Sequence, residues 1–125
     1  MKMKIAALLF FLFMMFVILA ADTGRIPSLI RTMYDFPNGD RVGHVVLYGI
    51  FAFLLASAFP RKFRLGRILL PVIIVALLIF SVVEECSQSL FSTRTPDFID
   101  LICSCTGILL GTWGAYRWKD MRKAT

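Results

Sequence analysis

Four stretches of the chain, residues 5–21, 42–59, 68–83 and 98–118, are dominated by apolar side chains in runs of 16 to 21 residues. At ~1.5 Å of rise per residue, a helix of that length reaches across the ~30 Å hydrocarbon layer of a bilayer. Inside that layer the backbone has no water to bond, so each run satisfies its own amides as a helix. Of the 125 residues, 58% are hydrophobic and only 18% charged. That is too little polar surface to cover a soluble domain. The expected fold class is therefore all-α, an integral membrane four-helix bundle forming a single membrane domain over residues 1–125.

Charge placement gives the expected orientation. The chain carries a net charge of +6, but its basic residues flank the apolar runs, where they meet anionic lipid, so no nucleic-acid partner is expected. Ten of the fourteen Lys and Arg residues fall on one side of the bundle: Lys2, Lys4, Arg61, Lys62, Arg64, Arg67, Arg117, Lys119, Arg122 and Lys123. Arg25, Arg31, Arg41 and Arg94 fall on the other, with seven of the eight acids. The positive-inside rule then places both termini in the cytoplasm. Two readings of the first run compete. Lys2 and Lys4 before it and Leu19-Ala20-Ala21 at its end suit a cleaved signal peptide, whereas 17 apolar residues also suffice for a retained span.

The connection over residues 22–41 contains Pro27, Pro37 and Asn38-Gly39, which mark turns. Leu29, Ile30, Met33 and Tyr34 recur between them at helical spacing, which predicts a short interfacial helix. Residues 60–67 read as a short basic loop. Pro71 is expected in the first turn of the third helix, where its missing N–H does no harm. Cys86, Cys103 and Cys105 are odd in number, which argues against a disulfide framework.

Nearly every residue able to do chemistry lies in three short pieces. In the first, Asp40, His44 and Tyr48 follow at i, i+4 and i+8, with Arg41 alongside, and share one helix face. An ionisable group in a membrane helix generally faces a partner or a cavity. The plainer reading has Asp40 capping the helix and His44 bonding a neighbouring helix. In the second piece, Glu85 and Gln88 end the third helix. Glu84 points about 100° away from Glu85 on the helical wheel and is expected to be solvated at the interface. Carboxylates at a helix C-terminus need an offset, and Arg41 or Arg94 can supply it. In the third piece, Arg94 and Asp97 lead into the fourth helix. Pro96 suits its first position, and Asp97 or Thr95 its cap. Asp100 lies deeper, on a face continued by Ser104, Gly107 and Gly111. The small-xxx-small pair lets another helix approach closely, so Asp100 is expected between helices.

These residues resemble a known family. Asp40-Arg41-x-x-His44-x-x-x-Tyr48, then Glu85-x-x-Gln88, then Arg94-x-x-Asp97-x-x-Asp100 with Gly107 and Gly111, is similar to the VanZ-like membrane proteins. Arg41 stands where the family has lysine, and Ser104 where it has asparagine. The resemblance implies a four-helix, multi-pass protein of the bacterial inner membrane. It also implies a link to teicoplanin resistance, as for the family's namesake. The polar pieces would then face the side on which the cell wall is built.

Two functions follow as expectations. One is a binding or accessory role in the cell envelope, with Asp40, Arg41, His44, Tyr48, Glu85, Gln88, Arg94, Asp97 and Asp100 forming the site. Its partners would be membrane lipids, a lipid headgroup, a cell-wall precursor or a glycopeptide. The alternative is a small membrane enzyme acting on a lipid-linked or wall substrate, with His44, Glu85 and Asp100 as catalytic candidates. No cofactor is implied. His44, Glu85, Asp97 and Asp100 can be drawn as metal ligands, but no strict ligand spacing supports a metal, and none is expected. A purely structural role for the polar residues is the third possibility.

Overall fold

The computed structural model describes residues 2–91 and 97–124, apart from the side chains of residues 33, 34 and 40. Helical residues make up 79% of the chain, and four helices are long and apolar enough to cross a membrane. They are α1 (Lys2–Asp22), α3 (Gly39–Ala58), α4 (Val72–Ser87, continued by a 3-10 turn over Gln88–Leu90) and α5 (Phe98–Ala124). A short helix, α2 (Ser28–Tyr34), lies between the first two, where the Leu29, Ile30, Met33, Tyr34 spacing predicts one.

Helix α1 stops at a glycine. Gly24 takes φ +69, a left-handed conformation open to a residue without Cβ. The Gly24 N–H donates to the Ala21 carbonyl at 3.1 Å and the Arg25 N–H to the Ala20 carbonyl at 2.7 Å. These two bonds close the last turn in a Schellman motif. Helix α3 begins at Gly39, one residue before Asp40, with Asn38 in the cap position at φ 62. Asp40 is therefore not its cap.

The basic stretch between α3 and α4 differs from the loop expected there. Lys62–Leu65 (β1) and Ile68–Pro71 (β2) pair as an antiparallel hairpin with Leu65 opposite Ile68. Gly66, at φ +63, and Arg67 form its two-residue turn. Glycine in the first of the two turn positions suits a type II′ turn, whose twist matches that of the paired strands. Residues 68–71 thus belong to a strand, and α4 starts at Val72. Pro71 is its N-cap, at φ −62 and ψ 132, and does not enter the first turn. The Val72 N–H donates to the Arg61 carbonyl at 2.9 Å, which fastens the helix to the hairpin.

Helices α3 and α5 form the most extensive pair, with α1 packed on α3 and α4 packed mainly on α5. Glycine permits this closeness. A Cβ at Gly107 would meet the carbonyl oxygen of Val45, and one at Gly111 the carbonyl oxygen of Gly49. The core holds Met14, Tyr48, Phe51, Leu77 and Ile108. Phe11 of α1 ties into it through Phe51 at 5.9 Å and Phe80 at 6.4 Å between ring centroids. Outside the core, Leu9, Leu12, Leu19, Ile79 and Val83 are all more than half exposed. An apolar exterior around a small core suits a bundle solvated by lipid tails.

One end of the bundle is basic and aromatic. Lys4 lies over the Phe59 ring at 5.2 Å, Lys62 over Tyr116 at 4.4 Å and Arg122 over Trp118 at 4.9 Å. The buried carboxylates and the histidine occupy the opposite end.

Candidate functional site

On α3 the four-residue spacing brings His44 and Tyr48 together. Their rings stack with centroids 6.1 Å apart and an interplanar angle of 6°. Tyr48 is 3% exposed, and its hydroxyl finds no hydrogen-bond partner among the described residues. The side chain of Asp40 lies outside what the structure describes.

Helix α5 enters the site through a cap. Asp97 precedes the first helical residue, Phe98, and its Oδ1 accepts from the Ile99 N–H at 3.0 Å, as an N-cap carboxylate does. Phe98 is the first residue of α5; Pro96 and Thr95, expected at its first position and cap, lie outside the described residues. One turn further, Asp100 sits beside α3, with its Oδ2 4.0 Å from His44 Nε2. Another turn on is Ser104, 1% exposed. Its hydroxyl donates to the Asp100 carbonyl at 3.1 Å and lies 2.9 Å from His44 Nδ1.

That pair of bonds assigns the histidine's hydrogens. A hydroxyl has one proton to give. With that proton on the Asp100 carbonyl, the Ser104 oxygen accepts from His44, so Nδ1 carries a hydrogen. On a neutral ring, Nε2 then presents its lone pair toward the Asp100 carboxylate. Ser104, where the resemblance implies asparagine, reaches the ring with its hydroxyl.

Helix α4 contributes more than its expected pair. Glu85 is 6% exposed, Gln88 2% and Glu84 7%. The expectation of a solvated Glu84 is thus corrected. The Gln88 amide donates to Glu84 Oε1 at 3.0 Å and to Glu85 Oε2 at 3.3 Å. The two Cβ atoms diverge, but glutamate is long enough to curl back, and one amide at i+4 and i+3 gathers both carboxylates. Glu85 Oε1 also accepts the Asp97 N–H at 2.8 Å, which ties the end of α4 to the start of α5. One oxygen each from Glu84 and Glu85 and one His44 nitrogen all lie within 4.8 Å of each other.

Arg41 does not offset these carboxylates. It lies 3.7 Å from Asp97 Oδ2, both side chains 40% exposed, and donates to Asn38 Oδ1 at 3.3 Å. Arg94, expected as the other partner, lies outside the described residues. Arg41 instead borders a cavity of about 530 Å³, whose lining includes Arg31, Asp35, Phe36, Asp97 and Asp100. Asp100 both lines this cavity and approaches His44, so the buried cluster adjoins the pocket. Of the residues expected in a site, His44, Tyr48, Glu85, Gln88, Asp97 and Asp100 come together, with Arg41 at the mouth. Glu84, Ser104, Arg31 and Asp35 are additions. Only the i+4 relation of Glu84 to Gln88 pointed to the first of these.

Neither the curated proteins nor the solved structures include a match to this chain. A family model described as VanZ/LLP1 matches residues 4–119, which takes in most of each of the four long helices and every residue of the cluster. This multi-pass membrane protein therefore belongs to the VanZ/LLP1 family.

Proposed function

We propose that the protein is an envelope-facing binding protein of the bacterial inner membrane. It takes the polar headgroup of an envelope lipid or lipid-linked wall precursor into the pocket where α3 and α5 begin. The observation that carries this reading is the pocket's mixed charge. Two guanidinium groups, Arg31 and Arg41, and three carboxylates, Asp35, Asp97 and Asp100, line one cavity of about 530 Å³ at an end of an otherwise apolar bundle. Such a lining suits a ligand with both signs, a phosphate for the arginines and an ammonium for the acids. Leu29, 77% exposed, and Phe98, 73% exposed, lie on the neighbouring elements and suit contact with an acyl chain. With the ten basic residues held in the cytoplasm, the pocket opens outward. Occupancy by a wall precursor is compatible with the teicoplanin link that the family resemblance implies.

Equilibrium binding of glycerophosphoethanolamine to the chain purified in detergent tests this reading. Removing a charged hydrogen-bond partner costs about 1.5–3 kcal/mol. Arg41→Ala and Asp100→Asn should therefore each weaken binding about tenfold or more. Equal binding by wild type and both variants, or none by wild type, contradicts the reading.

A second reading, a small membrane enzyme, is favoured by one observation. Ser104 holds the ring of His44 through Nδ1, which leaves Nε2, 4.0 Å from Asp100, as the nitrogen able to take a proton as a general base. Turnover of a phospholipid headgroup by wild type, lost in His44→Ala, would decide for it.

A further inference from the structure

We propose that His44, Glu84 and Glu85 form a binding site for a divalent transition metal of the zinc class. The donors are an imidazole nitrogen and two carboxylate oxygens, all within 4.8 Å of one another and contributed by α3 and α4. Zinc bonds of ~2.0–2.2 Å place tetrahedral donors about 3.3–3.6 Å apart. Binding requires the donors to draw closer than the 4.8 Å within which they lie. Imidazole with carboxylate is a donor set for zinc or manganese, whereas magnesium keeps to oxygen and its own waters.

The surroundings are those of a ligand site. Metal-bound histidines commonly give their other ring nitrogen to a hydrogen-bonding partner, and ligating carboxylates are held by donors of their own. Here Ser104 takes His44 Nδ1 at 2.9 Å, which leaves Nε2 to coordinate. The Gln88 amide holds both glutamates, and the Asp97 N–H holds Glu85.

One further observation points to a ligand. The Tyr48 hydroxyl, on a side chain 97% buried and stacked on His44, has no partner among the described residues. A water on the metal would give it an acceptor. Three protein donors leave a fourth position open, as in zinc sites that bind water or substrate. This site stands apart from the headgroup reading, because neither Arg31 nor Arg41 takes part in it.

The test uses the full chain in detergent, stripped with EDTA and dialysed against zinc, with bound metal measured by mass spectrometry. The expected result is one zinc per chain and a raised melting temperature. The paired change Glu84→Gln with Glu85→Gln should weaken binding at least tenfold. Replacing Cys86, Cys103 and Cys105 by serine should leave it unchanged. Binding lost with the cysteines, or kept by the glutamine variant, overturns the proposal. Should the glutamine variant fail to fold, the zinc absorption edge of the wild-type chain decides. A first shell of nitrogen and oxygen alone at ~2.0–2.1 Å supports the site, and sulfur at ~2.3 Å overturns it. No zinc retained above a magnesium control also overturns it.

Discussion

His44 Nδ1 lies 2.9 Å from Ser104 Oγ, a bond between α3 and α5 that spans 60 residues of sequence. It orients the imidazole, and it depends on a residue already tied to the Asp100 carbonyl at 3.1 Å. Hydrogen bonds between membrane helices contribute about 0.6 kcal/mol on average and up to about 1.7. Ser104→Ala should lower stability by that amount in a thermal or denaturant titration in detergent. It should also weaken metal binding by more than the stability loss alone explains, because the ring is no longer held.

The glycines of α5 offer a sharper contrast. Gly107→Ala and Gly111→Ala each place a methyl against a backbone carbonyl of α3, which cannot move as a side chain can. Overpacking of this kind costs about 1–3 kcal/mol or more. Gly43→Ala meets nothing within 4 Å and should be neutral or stabilising by up to about 1 kcal/mol, since alanine is the better helix former. Unfolding of the three variants side by side checks the prediction.

Gln88 serves two buried carboxylates at once. Its replacement by alanine leaves both without that donor, and each hydrogen bond to a charged group contributes about 1.5–3 kcal/mol. Gln88→Ala should therefore be among the most destabilising single changes at this end of the bundle. Gln88→Glu, which adds a third carboxylate, should be worse. Yield of folded protein on size exclusion and the melting temperature report both.

Cys86 gives a native probe of orientation. It is an exposed free thiol in the last turn of α4, next to Glu85. With the termini in the cytoplasm, a membrane-impermeant maleimide added to intact cells should label it, and Cys86→Ser should abolish the labelling. Labelling seen only after permeabilisation would reverse the orientation.

Much of this architecture could be read directly from residues. The long apolar runs gave the four spans, and the Gly107 and Gly111 spacing gave the α5 packing face. His44 and Asp100 were expected between helices and are found there. Three features were harder to read. The residues 68–71 are as apolar as the helix that follows, and composition cannot divide a strand from a span. Only Gly66, between the alternating Lys62–Leu65 and the apolar Ile68–Pro71, hinted at the hairpin. The inward turn of Glu84 was hidden because the helical wheel fixes where Cβ points, not where a long side chain ends. The Arg41 to Asp97 pairing depends on how α3 and α5 meet, which no spacing within one helix reveals.

The central claim is that the pocket beside Asp100 and Arg41 holds a charged amphiphile. Its most direct test is native mass spectrometry of the chain released from bacterial membranes, wild type against Arg41→Glu. The expected result is a phosphate-bearing lipid or precursor retained by wild type and lost from the variant, with both equally folded. The same adducts at the same occupancy on both proteins, or none on either, would contradict the account.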